Sequence, residues 1–84
     1  MKNGNIALDV LRKVAPHMRA TCEEIVTALE SMEVPADKQV AFCRLFTFTD
    51  IQRVSHEGIY GRANQRESVE AILKEKGMIQ PAFS

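Results

Sequence analysis

Residues 51–62, IQRVSHEGIYGR, constrain the fold more than any other stretch of this chain. Ile51-Gln52-Arg53-Val54 and Ile59-Tyr60-Gly61-Arg62 contain residues that favour extended backbone, and Ser55-His56-Glu57-Gly58 between them is a polar centre. Gly58 is able to take the positive φ of a tight turn. The pattern predicts paired strands at 51–54 and 59–62, a small β-hairpin set among helical segments.

The segments before it carry helical periodicity. Asn5 is a suitable N-cap, and Ile6, Val10, Leu11 and Val14 fall on one stripe, so a first helix is expected over 6–15, ended by Pro16. Thr21-Cys22-Glu23-Glu24 has the form of a capping box opening a second helix. Cys22, Ile25, Val26, Leu29 and Met32 form its apolar face, with Glu23, Glu24, Thr27 and Glu30 mostly outside. Val34-Pro35 marks a break, and Pro35 suits the first turn of a third helix. In that helix Val40, Ala41, Leu45 and Phe48, with Phe42 beside them, are the expected inward stripe. Phe46-Thr47-Phe48-Thr49 alternates with period two, which predicts that the helix ends between Leu45 and Thr49. Asn64 opens a last helix with Val69, Ile72 and Leu73 inward; Gly77 is its C-cap and Met78 packs back on it. The chain reads as one domain over residues 1–84, with its core at 6–76 and a tail at 78–84.

Helix, capped helix, turn, helix, hairpin, helix is an order that resembles the winged helix-turn-helix superfamily. Thr21–Leu29, TCEEIVTAL, resembles the first helix of the motif, residues 36–45 the recognition helix, and residues 51–54 and 58–62 the two wing strands. The resemblance covers residues 6–62. It implies a mainly α domain with a small β-hairpin, a helix-turn-helix at 21–46 and a wing at 51–62. The turn at 30–35 departs from the family in lacking its glycine and in being longer, and 46–50 is more aromatic than the usual end of a recognition helix.

Such a fold implies a small DNA-binding regulator, of the kind encoded by bacteria or phages, acting as a dimer on double-stranded DNA. On the third helix Gln39 is the candidate to pair with adenine, Arg44 to read guanine, and Lys38 and Thr47 to meet phosphates. On the hairpin the candidates are Arg53, His56 and Arg62, with Arg66 at the start of the following helix. The bland alternative for each is an ordinary solvated side chain.

Charge weakens the DNA reading. Eleven cations balance eleven anions, for a net charge of zero, whereas tight DNA-binding domains are usually basic. The charge is segregated, however. Residues 1–20 carry Lys2, Arg12, Lys13 and Arg19 against Asp9, whereas 21–37 carry Glu23, Glu24, Glu30, Glu33 and Asp37 with no cation. Residues 38–66 are again basic. The rival reading is therefore a protein-interaction adaptor or inhibitor that uses its acidic or aromatic surface to bind a protein partner. A third is a purely structural four-helix subunit in which 51–62 form no hairpin.

Other classes have little support. No Gly-rich phosphate loop, HExxH or nucleophile elbow is present, so no enzyme is expected. Cys22, Cys43, His17 and His56 match no metal-ligand spacing, and neither metal nor cofactor is expected. The two cysteines on apolar stripes read as core thiols of a cytoplasmic protein. No apolar run is long enough to span a membrane.

Overall fold

The computed structural model describes residues 5–60 and 65–79, with side chains for 5–56 and 65–79. Among the described residues the elements are five helices and no strand: α1 Ile6–Val14, α2 Arg19–Ser31, α3 Ala36–Leu45, α4 Phe48–Tyr60 and α5 Gln65–Glu75. The expected winged-helix architecture is corrected to a small all-helical domain. Residues 51–60, expected as one strand, a turn and the start of a second strand, lie within α4. Gly61 and Arg62 lie outside the described residues.

The physical reason for α4 stands at its first turn. The Thr47 hydroxyl accepts from the Asp50 amide at 3.1 Å, and the Asp50 carboxylate accepts from the Thr47 amide at 2.8 Å. This is a reciprocal capping box, and it opens a helix where alternation of Phe and Thr suggests extended chain. Ile51 and Val54 then follow at helical spacing, both fully buried. Burying such side chains is worth about 1.5–3 kcal/mol each, enough to override the local β preference of a few residues.

The other start signals resolve differently. Asn5 caps α1 as expected, its side chain accepting from the Leu8 amide at 3.1 Å. Thr21 does not cap α2. The helix begins two residues earlier at Arg19, Met18 takes the cap position without a side-chain bond, and Thr21 is buried in the first turn. Pro35 is the N-cap of α3 rather than a residue inside it.

Two helices end in Schellman turns. After α5, Gly77 has φ 75°, its amide donates to the Lys74 carbonyl, and Met78 donates to Leu73 at 2.8 Å. Met78 packs against the core, as expected. After α2 the same geometry recurs: Glu33 donates to Glu30 and Val34 donates to Leu29 at 3.1 Å. Here the left-handed position is held by Glu33, at φ 62°. The turn thus makes the usual bend without the glycine that normally relieves it.

The core joins α2 to α1, α4 and α5, and α1 to α3. Its fully buried side chains include Leu11, Cys22, Ile25, Leu29, Cys43, Ile51, Val54, Val69, Ile72 and Leu73. The expected inner faces of α2 and α5 are found. Those of α1 and α3 are rotated. On α1, Ala7 and Leu11 are buried while Ile6 is 64% exposed. On α3 the buried positions are Gln39, Phe42 and Cys43, continued by Phe46, whereas Ala41 and Leu45 face out.

Candidate functional site

The described residues among those expected to touch DNA have different placements. Gln39 is buried, and its amide nitrogen donates to the Val34 carbonyl at 2.9 Å. It ties the start of α3 to the turn before it, so its amide is engaged inside the protein rather than offered to a base edge. Thr47 is spent on the capping box of α4. Arg53 donates to Glu75 at 2.9 Å, across to α5. Arg66 lies 3.9 Å from Glu70, one turn on in the same helix. Lys38 and Arg44 are exposed on α3, and His56 is exposed on α4. Arg62 is outside the described residues.

Arg53 belongs to a seam between α4 and the end of α5. One turn earlier, the Lys76 ammonium meets the Asp50 carboxylate at 3.0 Å. Burial alone would push the Asp50 carboxyl up. The Thr47 amide, the Lys76 ammonium and the Thr47 side chain together hold it below the usual aspartate value. Asp50 therefore caps α4 and fastens it to α5 at once. The two ion pairs pin the start of α4 to the C-terminal end of α5.

The α3–α4 joint presents a different surface. Phe46 is buried and anchors the two-residue link, but Leu45 and Phe48 on either side of it are 44% and 47% exposed. The short link explains this placement, because Phe46 takes the inward position and leaves its neighbours outside. Sequence periodicity assigned both residues to the core. The signal that identifies the true inward set is the spacing 39, 42, 43, 46, hidden because Gln39 is polar.

A second surface was not singled out from the sequence. Asp9, Arg12, Lys13, Pro16 and Arg19 line an open groove of about 370 Å³ at the corner between α1 and α2. Its only sequence signal is the positive balance of residues 1–20.

Both thiols lie in the core. Cys22 and Cys43 are free and fully buried, and the Cys22 thiol faces the Ala15 carbonyl at 3.8 Å. Burial pushes the Cys43 thiol up to about 12, with Cys22 adding to the effect. Burial also raises Cys22, against the pull of Arg12. Among the described residues no three His, Cys, Asp or Glu side chains gather to hold a metal, and no helix is long and apolar enough to cross a membrane. No protein-family model, no curated protein and no solved structure matches the chain.

Proposed function

We propose that this chain is a small helical protein-interaction module that docks its partner through the α3–α4 joint. The observation that carries the reading is the exposure of Leu45 and Phe48 around buried Phe46. Two large apolar side chains held half in water by a short, capped joint are a suitable anchor for a partner's apolar pocket. Completing their burial is worth about 1 kcal/mol each. Net neutrality and the engagement of Gln39, Arg53 and Arg66 within the protein favour this reading over DNA. Two buried free thiols suit a reducing compartment such as the cytoplasm.

The test is affinity capture from the source cell with wild type and with the Leu45→Ala/Phe48→Ala double variant. The wild type is expected to recover one stoichiometric protein. The variant should bind that protein about thirtyfold more weakly at an unchanged melting temperature. Equal recovery by both proteins would sink the reading.

Duplex DNA is the second reading, favoured by the exposure of Lys38, Ala41 and Arg44 along the outer side of α3 after a four-residue turn. It requires salt-sensitive retention on duplex DNA that weakens in Lys38→Gln/Arg44→Gln. Absence of retention at low ionic strength removes it.

A further inference from the structure

We propose that the groove at the α1–α2 corner binds a phosphate monoester. Arg12, Lys13 and Arg19 line it, and Asp9 is the one acid among its lining residues. The chain has as many acids as bases, and three of its cations outside the groove pair with acids: Arg53 with Glu75, Arg66 with Glu70, and Lys76 with Asp50. Lys38 and Arg44, exposed on α3, are spread along a helix rather than gathered in a groove. The three groove cations pair with no carboxylate among the described residues. Asp9 stands three residues before Arg12 and four before Lys13, the spacings at which helical side chains meet, yet it closes an ion pair with neither. A concentration of unpaired positive charge in a neutral protein raises the potential of the groove and favours an anionic occupant.

The balance of charge selects the class of anion. Three cations against Asp9 leave the groove at +2. A phosphate monoester carries about −1.5 to −2 near neutral pH, so it matches that charge better than a diester or a single carboxylate. Two arginines supply forked donors suited to phosphate oxygens, and Lys13 adds a point charge. Pro16 gives one wall a fixed backbone. A volume of about 370 Å³ accommodates the phosphate with part of its ester group. The groove shares no residue with the α3–α4 joint, so it stands or fails independently of the protein-docking reading.

The experiment is an amide chemical-shift titration at low ionic strength with three probes: O-phosphoserine, adenosine monophosphate and serine as the unphosphorylated control. Saturable shifts confined to residues around 9–19 are expected with both phosphorylated probes and absent with serine. A preference between the two phosphorylated probes identifies which ester the groove takes. Arg12→Gln/Arg19→Gln should weaken binding at least about tenfold without moving the melting temperature, while Lys38→Gln/Arg44→Gln should leave it intact. Lack of saturation, shifts scattered over the surface, or equal losses in the two variants would each overturn the proposal. So would tighter binding of duplex DNA to the same residues.

Discussion

Replacing Asp50 probes the capping and docking of α4 in one step. Asp50→Ala removes the acceptor for the Thr47 amide at 2.8 Å and the partner of Lys76 at 3.0 Å. Loss of the Thr47 amide bond to the carboxylate, the reciprocal half of the capping box, costs about 1 kcal/mol. The Asp50–Lys76 pair is partly shielded, with side chains 17% and 27% exposed, and contributes up to about 1 kcal/mol. The expected cost is therefore about 2 kcal/mol, or about 8–16 °C in melting temperature for a domain of this size. Asp50→Asn keeps an acceptor for the amide but loses the charge, and should cost about half as much.

The pH dependence carries the same information. The folded Asp50 carboxyl is held below its ordinary value, so its contribution is fully present above the unfolded value of about 3.9. It is lost as pH falls through the lower folded value. Thermal denaturation of wild type and Asp50→Ala, followed by circular dichroism at 222 nm, should show the full gap at neutral pH. The gap should narrow below about pH 4. A gap under about 1 °C at neutral pH, against the 8–16 °C expected, would refute the capping and docking roles together. A gap constant down to about pH 2 would refute the ionised role of the carboxylate.

Three further outcomes follow from the turns and the thiols. Glu33→Gly should stabilise the domain by about 1 kcal/mol, because φ 62° strains a residue with a Cβ; Gly77→Ala, at φ 75° with open space around the site, should cost a similar amount in the same melting assay. Cys22 and Cys43 should resist iodoacetamide in the native protein at mildly alkaline pH and react on unfolding, since both are buried and Cys43 is pushed up to about 12; rapid alkylation of the native protein would contradict their core placement.

Much of the helical frame is legible in the sequence where a local signal and the burial pattern agree. Asn5, the apolar face Cys22–Leu29, the span of α3 and the Gly77-Met78 ending are all of this kind. The failures come from signals in competition. Thr21 precedes an acidic turn as a cap would, but its burial in the first turn of α2 shows that packing set the start. Thr47 and Asp50 form a capping box, but the intervening Phe48 and Thr49 give the segment an extended look. Gly58 suggests a hairpin turn in isolation, yet it lies inside α4. One glycine costs a helix about 1 kcal/mol, less than the burial of Ile51 and Val54 returns.

The site residues were less legible for a related reason. Lys, Arg and Gln types suggest contacts with DNA, but type alone does not reveal which side of a helix faces inward. Gln39 lies on the buried side of α3, and Leu45 on the outer side. Arg53 is drawn to Glu75, twenty-two residues away in sequence, a pairing that only the α4–α5 packing brings about. The groove cations Arg12, Lys13 and Arg19 converge across the Pro16 corner, which no linear motif records.

The most direct test of the all-helical fold is a set of backbone chemical shifts for residues 48–60. A continuous α4 predicts positive Cα secondary shifts throughout and sequential amide contacts from Phe48 to Tyr60. Negative Cα shifts at 51–54 and 59–60, with cross-strand contacts between those runs, would restore the hairpin and contradict the account.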